Sequence, residues 1–196
     1  GIRSYKGHSL DNNSFKFRDG DRVKFATQLS KSQKVLFITS EGRSFSLSLD
    51  QLKKDKGYGE PLNLIIGTGN VTSIVSILPF YHGTKGLIFS KKGLGFLVDF
   101  SSLQSSTKTG KQIFELSEGD NVIGLKEING DNVIVLSSSF KMLIFSAKEL
   151  PLLKKGKGVR LQRYMGETLL DAMVFSQNEK DNLITKKIFA KHEDVR

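Results

Sequence analysis

The side chains able to do acid–base, nucleophilic or metal chemistry are few in this 196-residue chain, and their spacing does not assemble a site. There are three histidines, His8, His82 and His192, and no cysteine. No two histidines stand four apart, the spacing that would put both imidazoles on one helix face, and His8 and His82 lie in loop-like stretches. They read as solvated side chains. The carboxylates of Asp19-Gly20-Asp21 and Glu118-Gly119-Asp120 fit turn chemistry, in which short acids and glycine cap a chain reversal. A calcium loop would need further oxygen ligands and a closing glutamate that the sequence does not supply. Two glycine-rich stretches, Gly156-Lys157-Gly158 and Thr109-Gly110-Lys111, lack the Gly-x-x-x-x-Gly-Lys-Ser/Thr spacing that cradles nucleotide phosphates ahead of a helix. No catalytic residue, metal or cofactor is expected in this chain.

What remains is cationic. Lys and Arg number 30 against 20 Asp and Glu, a formal net charge of +10. Cutting at Thr84 leaves 12 basic and 7 acidic residues before it and 18 and 13 after it, so each part carries +5 and no basic tail explains the excess. The densest stretch, Leu150 to Gly166, holds Lys154, Lys155, Lys157, Arg160 and Arg163 with no acid among them. Lys85, Lys91 and Lys92 form a second group, and Lys108 and Lys111 a third. A field of this sign suits a polyanion, either nucleic acid or an anionic membrane surface.

The elements that must position these charges emerge when the sequence is compared with itself. Val35 to Leu47, Gly86 to Val98 and Val133 to Phe145 each read as an apolar run, a turn near Gly42, Gly93 or Ser139, and a second apolar run. That is the pattern of a β-hairpin. A leucine follows each hairpin, at Leu52, Leu103 and Leu150, spaced 51 and 47 residues apart. A Gly/Lys-rich loop comes next, then β-rich stretches over Pro61 to Ile66, Gln112 to Leu116 and Val159 to Tyr164. Outer strands are expected over Val71 to Leu78, Asn121 to Ile128 and Leu170 to Phe175. Helix is expected only as short turns near Leu49 to Lys54 and Ser146 to Leu153. Four strands at this period mark an all-β propeller or pinwheel, whose blades cover one another's apolar faces.

The expected organisation is one domain over 1–196, with repeat units near 1–32 (partial), 33–84, 85–130 and 131–180 and a terminal strand over 181–196. About four blades are expected, joined at the chain ends or left as an open arc. In this frame Arg43, Lys91, Lys92 and Lys141 fall at or beside hairpin turns. Lys56, Lys108, Lys111, Lys154, Lys155 and Lys157 fall in equivalent loops. A belt of this kind suits the phosphates of duplex DNA, bound with little regard to sequence and strongly weakened by salt. Lysines on turns also keep sheet edges soluble. With no Trp and only four Tyr, the chain lacks stacking platforms for single strands. The absence of cysteine fits a reducing, cytoplasmic setting. No apolar run of about 18 residues could cross a bilayer. The start at Gly1 has no signal-peptide core and no initiator Met, as expected of a fragment of a longer protein.

Several stretches carry a family likeness. Gly156-Lys157-Gly158-Val159-Arg160-Leu161-Gln162-Arg163-Tyr164, followed by Leu170-Asp171-Ala172, resembles the last-blade motif in the C-terminal domain of the A subunit of bacterial DNA topoisomerase IV, especially in alphaproteobacteria. Tyr5-Lys6-Gly7-His8, Phe17-Arg18-Asp19-Gly20-Asp21, Gly57-Tyr58-Gly59-Glu60-Pro61, Ser90 to Phe96 and Thr109-Gly110-Lys111-Gln112 resemble the same family in the same order. The likeness weakens after about Ser176.

The resemblance implies a β-pinwheel whose blades exchange strands and whose basic rim binds and bends duplex DNA, and it places the domain in the bacterial nucleoid. It further implies that the cleaving tyrosine, the magnesium site and the ATPase lie in other domains. The implied partners are the N-terminal catalytic part of the same polypeptide and the B subunit of topoisomerase IV. The related gyrase domains carry a Gln-Arg-Arg-Gly-Gly-Lys-Gly box, a string that does not occur here, which favours relaxation and decatenation over DNA wrapping. A protein-interaction platform is the rival from another class. A propeller hydrolase would need convergent catalytic groups, and none is visible in the sequence.

Overall fold

A computed structural model describes residues 2, 19–20, 24–27, 29–30, 32–52, 60–66, 73–105, 107, 109–163 and 165–176. Its frame is three antiparallel hairpins in series: β1 (Lys34–Thr39) with β2 (Arg43–Ser48), β4 (Lys85–Ser90) with β5 (Leu94–Asp99), and β8 (Asn132–Ser137) with β9 (Met142–Ser146). The first strand of each is buried on both faces from its second residue onward. That explains why the sequence reads there as a continuous apolar run rather than an alternation: each sheet is covered on two sides.

Each hairpin turns by the same device. The last residue of the first strand, Thr39, Ser90 or Ser137, is fully buried. Its hydroxyl accepts a hydrogen bond from the amide four residues on: Arg43 at 3.2 Å, Leu94 at 3.3 Å and Lys141 at 3.2 Å. The residue in between adopts positive φ. This is Gly42 (76°) and Gly93 (81°) in the first two hairpins, and Phe140 (62°) in the third, where the sequence has no glycine to offer.

The outer strands β3 (Ile74–Pro79), β7 (Val122–Glu127) and β11 (Leu169–Phe175) pair with β1, β4 and β8 respectively. The short strands β6 (Lys111–Gln112) and β10 (Val159–Arg160) do not join the hairpin of their own unit. β6 pairs with β2 and β10 with β5, each completing the preceding blade. Among the described residues this gives two four-stranded sheets, β3-β1-β2-β6 and β10-β5-β4-β7, and one three-stranded sheet, β11-β8-β9. The strand exchange implied by the family likeness is therefore present at two successive blades.

Blade faces pack pairwise. Leu36 and Ile38 of blade 1 meet Ile88, Phe96 and Val98 of blade 2. Leu87 and Phe89, on the other face of blade 2, meet Val133 and Val135 of blade 3. The buried Ser76 hydroxyl links outer strands across the first seam, accepting from the Leu125 amide at 2.9 Å. Leu52, Leu103 and Leu150, the leucines in register, are all buried.

Some expectations are corrected. Leu62–Ile66 forms a short helix, α1, where a β-rich stretch was expected, because Pro61 withholds an amide from any ladder and suits a helix start. The strands expected over Gln112 to Leu116 and Val159 to Tyr164 reduce to the two-residue β6 and β10. Beyond them the chain bends over the preceding hairpin turn, with the Ile113 and Phe114 amides donating to the Gly42 carbonyl and the Leu161 amide to the Gly93 carbonyl. A second short helix, α2 (Phe100–Leu103), is capped by Asp99, whose carboxylate accepts from the Ser101 amide at 2.8 Å. The short turns expected after the first and third hairpins are present as 3-10 turns at Leu49–Gln51 and Ala147–Glu149.

Candidate nucleic-acid interface

The densest basic stretch is clamped by backbone on two sides. The Leu97 amide donates to Pro151 O at 2.9 Å and the Leu153 amide to Leu97 O at 2.8 Å, tying the chain ahead of Lys154 to β5. Immediately beyond, the Gly156 amide donates to Ile113 O at 3.0 Å and the Glu115 amide to Gly156 O at 2.9 Å, tying it to the preceding exchange segment. Lys154, Lys155 and Lys157 are exposed on this fixed loop, and β10 then carries an exposed Arg160 along the edge of β5, with Arg163 exposed just beyond.

The exchange brings together charges that are far apart in sequence. Lys111 and Lys154, from two different units, line one groove with Ser101, Ser102, Asp99, Leu152 and Leu153. The Lys111 ammonium donates to Ser102 O at 2.7 Å, so its charge is held at the groove wall.

At the hairpin turns the cations are tethered as well. The Arg43 guanidinium donates to Thr109 O at 2.8 Å. The Lys92 ammonium donates to Glu118 O at 2.5 Å, while the Lys92 amide donates to the Asp120 carboxylate at 2.9 Å. Glu118-Gly119-Asp120 thus does the turn chemistry expected of it, with Gly119 at φ 69°. Lys91 stands exposed beside Lys92, and Lys85 is exposed at the opposite end of the hairpin.

Two of the expected cations face carboxylates of the protein itself. Lys141 donates to Glu167 at 2.7 Å and Lys155 lies 3.1 Å from Glu115. The Lys141 ammonium, helped by the Ser139 and Ser137 hydroxyls, lowers the Glu167 carboxyl from its ordinary 4.5 to about 2. Sequence reasoning missed these carboxylates because they stand 26 and 40 residues from their lysines, with no local signal. Lys85, Lys91, Lys154, Lys157, Arg160 and Arg163 make no ion pair with a described carboxylate. Lys56 and Lys108 lie outside the described residues.

The turn positions are equivalent in space but not in charge. Arg43 and Lys141 occupy the same place in their hairpins, just after the positive-φ residue, whereas Lys91 and Lys92 correspond to Ser40 and Glu41 in blade 1 and to Ser138 and Ser139 in blade 3. The charge is therefore concentrated toward the seam where blade 2 receives its strand from the third unit.

Comparison with known proteins agrees with this architecture. Residues 33–58, 87–129 and 131–176 match the family model described as DNA gyrase C-terminal domain, beta-propeller. The chain is 38% identical over 182 residues to the A subunit of DNA topoisomerase 4 from Rickettsia conorii, covering 93% of this chain and 24% of the relative. It is 34% identical over 175 residues to the same protein from Caulobacter vibrioides, covering 89% and 23%. The chain thus spans about a quarter of the length of these relatives. Among solved structures, the E. coli ParC C-terminal domain superposes with a TM-score of 0.80 at 28% identity, over 89% of this chain and 75% of that one. With sequence and overall fold in agreement, the chain belongs to the DNA gyrase C-terminal domain, beta-propeller family.

Proposed function

We propose that this chain is the duplex-DNA-binding domain of the A subunit of a topoisomerase IV, and that it holds and bends a DNA segment which the rest of the enzyme transports. The observation that carries this reading is the seam at blade 2. There a backbone-clamped loop and strand present Lys154, Lys155, Lys157, Arg160 and Arg163 beside Lys111 of the preceding unit. Cations held on a rigid scaffold neutralise backbone phosphates and so release the counterions condensed on DNA, which drives binding without reading bases. The chain supplies positioning. Cleavage, magnesium and ATP hydrolysis belong to the remainder of the parent polypeptide and to the B subunit, and the DNA held here serves relaxation, decatenation and chromosome segregation.

The test is replacement of Lys154, Lys155 and Lys157 together by Gln, with retention of a short duplex measured at several salt concentrations. The expected result is weaker binding at low salt and a log K versus log[salt] slope shallower by up to about 3, roughly one unit per phosphate contact removed. An unchanged slope with an intact fold would sink the DNA reading and favour a platform for protein partners.

A further inference from the structure

The two exchange segments follow one register up to the point where their charge reverses. Each starts at a glycine of positive φ, Gly110 (68°) or Gly158 (74°). The next two residues meet the second and first residues of the receiving strand: Lys111 and Gln112 lie opposite Ser44 and Arg43, Val159 and Arg160 opposite Gly95 and Leu94. An aliphatic residue follows, Ile113 or Leu161, whose amide reaches the turn carbonyl of Gly42 or Gly93. Five residues past the glycine stands Glu115 in the first copy and Arg163 in the second, both exposed. One position of the repeat thus carries opposite charges on successive blades.

Glu115 is held in place by backbone from two units. Its amide donates to the Gly156 carbonyl at 2.9 Å, and the Gly156 amide donates to the Ile113 carbonyl at 3.0 Å, which fixes Glu115 against the lysine loop. Its carboxylate lies 3.1 Å from the Lys155 ammonium, and the two side chains are 45% and 51% exposed. A pair this open to solvent is weak and exchangeable. Lys154 and Lys157, on the same loop, make no ion pair with a described carboxylate. The loop therefore offers two charges outright and a third only after a carboxylate has been displaced.

Resting on the DNA reading above, we propose that Glu115 sets the affinity of the basic seam: its carboxylate occupies the place at Lys155 that a DNA phosphate would take, and so withholds one cation from the duplex. A lysine that already has an anionic partner gains a phosphate only by losing that partner, and the displaced carboxylate then stands against the DNA. Because the pair is exposed, the exchange is reversible and costs the fold little. A DNA segment that is to be transported must also be let go, and an intramolecular competitor weakens the grip without removing the site.

Glu115→Gln keeps the backbone clamp and frees Lys155. On a short duplex this variant is expected to bind up to about eightfold more tightly at about 0.1 M salt, with a log K versus log[salt] slope steeper by about 0.9, the effect of one more phosphate neutralised. Glu115→Arg, which copies the charge of Arg163, goes further in the same direction. Lys155→Gln is the discriminating partner. It costs less affinity beside Glu115 than in the Glu115→Gln background, where it abolishes the gain. Equal losses in the two backgrounds would show that Glu115 acts only through its general negative field, and would overturn the proposal, as would an unaltered slope in a folded Glu115 variant. The unmodified chain separates this failure from that of the DNA reading. Salt-sensitive retention that neither Glu115 variant alters rejects the competitor alone, whereas no salt-sensitive retention rejects both.

Discussion

At the scale of single residues, the most informative departure from repetition is Phe140. It takes the left-handed conformation that Gly42 and Gly93 take in the other hairpins, and it is 56% exposed, so little burial offsets the strain. Phe140→Gly is therefore expected to stabilise the fold by about 1 kcal/mol, read as a higher urea midpoint with an unchanged m-value. Glu167 is the other singular residue. Its carboxyl is lowered to about 2 by the Lys141 ammonium and by the Ser139 and Ser137 hydroxyls. A depressed folded value means the contribution is complete above the ordinary 4.5 and is lost as pH falls through about 2. Glu167→Gln should thus be less stable than the unmodified chain at neutral pH, with the two denaturation midpoints converging as pH falls from 4.5 toward 2. A difference that persisted at the acid end of that range would mean that packing, not charge, separates them.

At the scale of elements, the exchange strands depend on glycine for two reasons at once. Gly158 is at φ 74°, and a Cβ there would lie 2.5 Å from the Gly95 carbonyl oxygen, a backbone atom that cannot yield. Gly83 has nearly the same φ, 77°, but a Cβ there would meet nothing within 4 Å. Alanine at Gly83 should cost about 1 kcal/mol of backbone strain, and alanine at Gly158 roughly 2–4 kcal/mol, because strain and overlap add. Equal effects from chemical denaturation would show that the exchange strand does not seal blade 2. Pairing with the preceding unit was not legible in the strand residues themselves. Lys111-Gln112 and Val159-Arg160 have no apolar alternation to report a partner, and the edge each joins is chosen by the packing of whole blades.

At the scale of the whole molecule, the +10 net charge matters through where the fold leaves it uncompensated. The exposed Lys155–Glu115 pair is worth little to stability. It also holds Lys155 against a carboxylate that phosphate would have to displace. Within the triple replacement, the loss of DNA retention should accordingly come more from Lys154 and Lys157 than from Lys155 when the three are changed singly.

Hairpins and their turns follow from residue order, because each is set by contacts within about fifteen residues: an apolar run, a hydroxyl four residues before an amide, a glycine where φ must be positive. The blade repeat and its leucines in register are legible because that pattern recurs. The density of cations over Lys154 to Arg163 is likewise a property of the sequence alone. Tertiary structure decided the rest. Only the exchange of β6 and β10 sets Lys111 beside Lys154 and Glu115 beside Lys155, and the pairing of β11 with β8 sets Glu167 against Lys141. These are pairings over 26 to 43 residues, with the fold itself as the link: no local propensity encodes them, and they exist only once neighbouring blades have buried each other's faces.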